Sequence, residues 1–174
     1  MELLNERPLE KINVSDITDK CGLTRNTFYY HFHDVYELLA YTFTSETETL
    51  LRKYQANQDW QGGFSQGLNF LYENRNMVKN VYHSINKEEL YGYLIQVAHK
   101  HALVIVSIEC SKRGAISGDV KNLVADLYKN AIIGSLISWI STDMQETPES
   151  LAKLYQQMFI GTIDSAIESA EKCV

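Results

Sequence analysis

Residues 11–39 read KINVSDITDKCGLTRNTFYYHFHDVYELL, and the fold turns on how this stretch is punctuated. Val14–Cys21 is short and amphipathic, with Val14, Ile17 and Cys21 spaced for one helical face. Ser15 stands near its start, where small polar residues cap free N–H groups. Gly22 ends it, because glycine tolerates the left-handed exit of a helix. Leu23 is expected as a buried anchor in the turn. Thr24 is expected to cap the next helix, which runs to about Phe32. Asp34 can cap a third helix, from about Val35 to Tyr54. Two short helices around a Gly-Leu-Thr turn have the spacing of a helix-turn-helix, whose second helix enters the major groove. Turns of this kind also join helices in proteins that touch no DNA.

The second helix is more specific. Phe28 and Phe32 are four apart and can share a buried face. Arg25, Asn26, Thr27, Tyr29, Tyr30 and His31 are left to point elsewhere. Arginine suits guanine edges, asparagine suits adenine, and hydroxyls suit phosphates. The alternative is that Tyr29, Tyr30 and His31 pack on the following helix.

The runs Lys11–Ile17, Cys21–Phe32 and Glu37–Leu39 together closely resemble the DNA-binding head of the TetR family of bacterial regulators. The resemblance implies an all-α fold, with a helix-turn-helix head at residues 1–45 and an antiparallel helical-bundle domain at 46–174 for ligand binding and dimerisation. It implies a homodimer reading a palindromic double-stranded operator, with the last two helices of each subunit paired in a four-helix bundle. A small-molecule effector in the body would shift the spacing of the heads. By residue, DNA contact carries over onto Ser15, Thr24, Arg25, Asn26, Thr27, Tyr29, Tyr30 and His31. Trp139-Ile140 and Thr147-Pro148 look like the subgroup that includes dihydroxyacetone kinase regulators.

Two departures stand out. The family places a lysine after the His-Phe pair to meet a phosphate; here His33, Asp34 and Val35 follow, so that contact is missing or moved to His33. Only Met1–Arg7 precede Pro8, which is short for the first helix of a three-helix head. Residues 1–40 carry four basic and seven acidic side chains, a net −3, although phosphate neutralisation drives DNA affinity. The expectation drawn is a chain that begins roughly 10 to 20 residues earlier with a basic helix, judged from the helix length a small head needs.

The rest reads as helices at 59–74, 76–84, 87–112, 117–141 and from Thr147 towards Glu171, with Pro148 in the first position of the last. The 174 residues are 45% hydrophobic with only two prolines, enough for a packed core and suited to long helices. Cys21, Cys110 and Cys173 form no CxxC pair, so neither a disulfide framework nor a zinc site is suggested and a reducing cytoplasm is expected. No membrane span is expected. His99 and His101 fall on different faces of a helix, a poor metal pair, and Glu88-Glu89 reads as a solvated helix start. No catalytic constellation or phosphate loop appears, so no enzyme activity, cofactor or metal is expected.

Candidates for a sensor pocket are Tyr72, Tyr82, Tyr91, Tyr93, His99 and Trp139; ordinary packing is the alternative for each. One long stripe joins Leu90, Leu94, Val97, His101, Val104 and Ile108. Candidates for the dimer interface are the small-residue face Ala131, Gly134, Ser135 and Ser138, and the stripe Leu151, Leu154, Tyr155, Met158, Thr162 and Ala166. An intramolecular bundle is the alternative. The function expected is a ligand-responsive repressor. Two other readings stand beside it: a co-regulator of the same fold acting through a protein partner, and, last, a small helical enzyme.

Overall fold

In the computed structural model, residues 1–84 and 87–172 are described, without the side chains of residues 54–55 and 87–90. The expectations placed on Glu88, Glu89, Leu90 and Cys173 lie outside what is described. Four elements build the head: α1 (Glu2–Glu6), a 3-10 turn (Leu9–Lys11), α2 (Val14–Cys21) and α3 (Arg25–His31). The helix α4 (Val35–Asn57) runs from head to body, and the body is α5 (Trp60–Glu73), α6 (Arg75–Ser84), α7 (Lys87–Ser111), α8 (Gly118–Ser141) and α9 (Pro148–Glu171). The expected division at residue 45 falls inside α4, which crosses it unbroken.

Local chemistry sets the helix ends. Asp59, Ser117 and Thr147 each cap a helix by accepting a backbone N–H three residues on, from Gly62, Val120 and Ser150 respectively. Pro148 sits in the first turn of α9, where its missing N–H costs nothing.

Two apolar clusters hold the molecule together. In the body, α7, α8 and α9 bury Ala98, Ala102, Ile105, Val124, Ile132, Phe159 and Ile163 against one another. Glu109 is buried there too, accepting from Trp60 Nε1 at 2.8 Å and from Lys112 Nζ at 2.6 Å. The second cluster joins head to body: Leu4, Leu9, Ile12 and Leu39 meet Met77, Val78, Val81, Trp139 and Leu151. Asn80 Nδ2 reinforces it by donating to the Leu4 carbonyl at 2.7 Å.

The helix α8 is apolar along much of its length. It is long and apolar enough to cross a membrane by composition alone, with a mean hydropathy of 1.2. The reason lies in its two apolar faces. Val120, Val124, Tyr128 and Ile132 point into the core, while Leu123 and Leu127 point outward.

Candidate nucleic-acid interface and the cavity behind it

Gly22 leaves α2 at φ 66°, the left-handed exit that favours glycine. Thr24 Oγ1 then accepts from Thr27 N at 3.1 Å, so α3 starts with its free N–H groups partly satisfied. Phe28 buries itself in the head, and Phe32 lies half-buried with ring centroids 5.8 Å away. The remaining side chains of the helix, Arg25, Asn26, Thr27, Tyr29, Tyr30 and His31, are all exposed. Tyr30, 84% exposed, meets its neighbour His31 edge-on at 4.9 Å, and an aromatic contact to α4 runs through Phe32 and Tyr41. Ser15, Arg25, Tyr29 and His33 come together on one cleft of about 570 Å³ between α2, α3 and the start of α4.

Three local expectations are corrected. Asn13, not Ser15, caps α2: its side chain accepts from Asp16 N at 3.0 Å while Asp16 accepts from Asn13 N at 2.9 Å. This reciprocal box holds the Asp16 carboxyl below the usual carboxylate range, with Arg7 adding to the effect. Leu23 is 53% exposed, whereas Thr18 on α2 is buried and its hydroxyl donates to the Val14 and Ser15 carbonyls. Cys21 is exposed as well, since the α2 face that packs is Val14, Ile17 and Thr18.

The cations of the head are unevenly spent. Lys20 bridges Glu2 at 3.0 Å and Glu6 at 3.3 Å, and Arg7 pairs with Asp16 at 2.9 Å. The bond to Glu2 raises the Lys20 ammonium pKa above its ordinary value. These contacts staple the five-residue α1 onto α2. Lys11 and Arg25 have no ion pair among the described residues. His33 Nδ1 lies 3.2 Å from Asp34 Oδ2, beside the Asp34 cap of α4.

Behind the head, α4, α5, α6, α7 and α8 enclose a cavity of about 490 Å³. Its walls include Phe43, Phe64, Leu68, Val97, Ile133 and Leu136, and it reaches Tyr36 and Glu37 at the start of α4. Of the sensor candidates, Tyr82 and Tyr93 line it. The others sit elsewhere. Tyr72 stacks on Trp139, with centroids 6.2 Å apart, and Trp139 Nε1 donates to the Glu146 carbonyl at 3.0 Å in the head–body cluster. Tyr91 is exposed, and His99 reaches Asp126 at 3.2 Å on the surface.

His101 is the residue that sequence reasoning passed over as a pocket group. It lines the cavity, and burial pushes its imidazole down to about pKa 4, so it is neutral at physiological pH. Its position on the Leu94–Val97–Val104 stripe was the available signal. Among the described residues, no group of three or more His, Cys, Asp or Glu is placed to hold a metal.

On the outer side of the body, Leu123, Leu127, Ala131, Gly134 and Ser138 form an exposed stripe on α8. Leu154, Met158 and Ser165 form one on α9. Thr162 is exposed beside the latter and bonds Tyr128 Oη at 2.6 Å, tying α9 to α8. Three interface candidates face inward instead: Leu151 is buried in the head–body cluster, Tyr155 lies against Phe64 and Phe159 at centroid distances of 6.3 and 6.2 Å, and Ala166 packs half-buried against the body core.

A helix-turn-helix with an outward-facing polar second helix, mounted on an all-helical body, defines a DNA-binding transcription regulator. The family model for bacterial regulatory proteins of the tetR family matches residues 1–42, and that for a transcriptional regulator C-terminal region of the same family matches residues 58–161. The chain belongs to the TetR family of DNA-binding regulators and is not an enzyme. It is 28% identical over 95 residues to the HTH-type dhaKLM operon transcriptional activator DhaS of Lactococcus lactis subsp. lactis (strain IL1403). That match spans 55% of this chain and only 50% of the relative. In structure it is similar to the dihydroxyacetone kinase operon activator DhaS, with a TM-score of 0.76 over 94% of this chain and 90% of that one at 19% identity, a likeness of fold. The subgroup resemblance read from Trp139-Ile140 and Thr147-Pro148 agrees with the sequence match.

Proposed function

We propose that the chain is a homodimeric, ligand-responsive regulator that acts in the cytoplasm and reads a palindromic operator with α3. The observation that carries this is the exposed polar face of α3, set outward by the Gly22 turn and the Thr24 cap. Arg25, exposed and without an ion pair among the described residues, can reach a base or phosphate, and Ser15, Asn26, Thr27, Tyr29, Tyr30 and His31 lie around it. The head at residues 1–45 holds DNA, and the body at 46–174 binds the effector and dimerises. Two-fold pairing of the α8 and α9 stripes would bury Leu127 and Met158 and present two heads to two half-sites. The cavity is the effector site. Because it touches α4 at Tyr36 and Glu37, a few residues after α3, a ligand that reshapes α4 re-aims the reading helix.

The expected sign is repression, whereas the DhaS proteins above are named activators. Sign depends on where the operator lies relative to the promoter, so an operator–reporter fusion in a strain lacking the gene reads it: output rises on deletion of a repressor and falls on deletion of an activator. A mobility-shift titration with fragments flanking the gene, at rising salt, tests DNA binding itself. The expected result is a shift that weakens steeply with salt. The net −3 of residues 1–40 favours a second reading, a co-regulator held to DNA through a protein partner. The absence of any shift by the chain alone, restored by a partner, would decide for it.

A further inference from the structure

We propose that the cavity takes an uncharged, elongated, largely apolar molecule whose hydrogen-bonding group meets the Tyr93 hydroxyl; this rests on the reading of the cavity as the effector site. The walls come first. Phe43, Phe64, Leu68, Val97 and Ile133 give a surface that rewards an apolar body.

The charges come next. No lysine or arginine stands among the described lining residues, whereas Asp34, Glu37 and Glu46 do. An anionic ligand would lose its hydration, find no counter-charge and face carboxylates. A cationic ligand gains little in return for its own desolvation. Asp34 is occupied as the cap of α4, Glu37 accepts from His33 N, and Glu46 is exposed to water, where charge attraction is weak. His101, on the wall of the same cavity and neutral, adds no charge of its own.

The hydrogen-bonding groups fix the shape. Tyr93 Oη is shut off from solvent and makes no hydrogen bond of good geometry, although the Thr44 and Thr47 hydroxyls of α4 lie near it. A buried hydroxyl left in this state, on the wall of a cavity, is the group a ligand would satisfy. His101 lies eight residues further along α7, about 12 Å at the helical rise. The polar end at Tyr93 and the imidazole at His101 therefore bracket an apolar stretch that includes Val97. This matches an extended amphiphile and leaves a three-carbon polyol with most of the space unfilled.

The test uses three probes with one apolar body and different heads: decanol, decanoate and decyltrimethylammonium, each below its micelle threshold. Binding to the full chain is followed by native mass spectrometry and by the shift in Tm. Decanol is expected to bind about tenfold or more tighter than either charged probe. Tyr93→Phe is expected to weaken decanol about tenfold while leaving the Tm of the unliganded protein unchanged or raised. Decanoate or the ammonium probe binding as tightly as decanol overturns the proposal, as does undiminished decanol binding by Tyr93→Phe. A fluorescence titration with operator DNA separates the two layers. Decanol that binds through Tyr93 but leaves operator affinity untouched supports the ligand class and removes the effector reading.

Discussion

Leu127→Ala probes the proposed interface with the fewest side effects. Leu127 is 62% exposed on α8, so its removal leaves the core of the monomer intact. Burying a whole leucine side chain is worth roughly 1.5–3 kcal/mol. The exposed share of Leu127 is then worth about 1–2 kcal/mol on dimerisation, and two-fold symmetry counts it twice. With what alanine retains, the loss is about 2–3 kcal/mol per dimer, a rise of about 30- to 150-fold in the dimer Kd. Sedimentation velocity over a dilution series measures this directly. Thermal unfolding at a concentration where both proteins are monomeric should move little, as for a surface change. Ile160→Ala is the control. Ile160 is 51% exposed, but it stands two residues beyond Met158 and so points away from the Leu154–Met158 stripe. It should leave the Kd unchanged. A Leu127→Ala protein that dimerises as tightly as the parent, or an Ile160→Ala protein that does so less tightly, would refute the pairing of these stripes.

Other consequences follow from single contacts. Trp60→Phe strips Glu109 of its 2.8 Å indole donor and should cost about 1–3 kcal/mol in a chemical denaturation curve, because the carboxylate stays buried. Thr24→Ala removes the cap of α3 and should cost about 1 kcal/mol of stability, with weaker DNA binding as the helix start frays. The His101 pKa is lowered from 6.5 to about 4 by burial, so the unfolded chain binds a proton across that window and the folded one does not. Its stabilisation is complete above pH 6.5 and is lost as pH falls towards 4. Denaturation at pH 5 should show about 2 kcal/mol less stability than at pH 7.5 from this group, and His101→Leu should flatten that difference.

The helices were legible because their ends are written in residue chemistry. Gly22, Ser117 and Thr147-Pro148 mark exits and caps that operate locally, and the structure keeps them within a residue or two. The polar face of α3 was legible for the same reason, since Phe28 and Phe32 fix which side is inside. What failed depends on the neighbouring element. Periodicity says that Leu151 and Tyr155 share a face, but not that α5 lies against it. It placed His101 on an apolar stripe without saying that the stripe faces a void. Aromatic type misled in the pocket: Tyr72 and Trp139 fill space by stacking on each other, whereas the cavity is lined by Tyr82, Tyr93 and the His101 imidazole. Asn13 outcompeted Ser15 as a cap because Asp16 stands three residues on and closes the box.

The claim at the centre is that α3 reads DNA. Fluorescence anisotropy with a labelled fragment from upstream of the gene, comparing the parent with Arg25→Ala/Tyr29→Ala, tests it most directly. Each lost base or phosphate contact is worth about 1–3 kcal/mol, so the double variant should bind about 100-fold or more weaker. Its helix content and unfolding midpoint should match the parent, because both side chains are exposed. Undiminished affinity of a folded double variant would contradict the assignment of α3 as the reading helix.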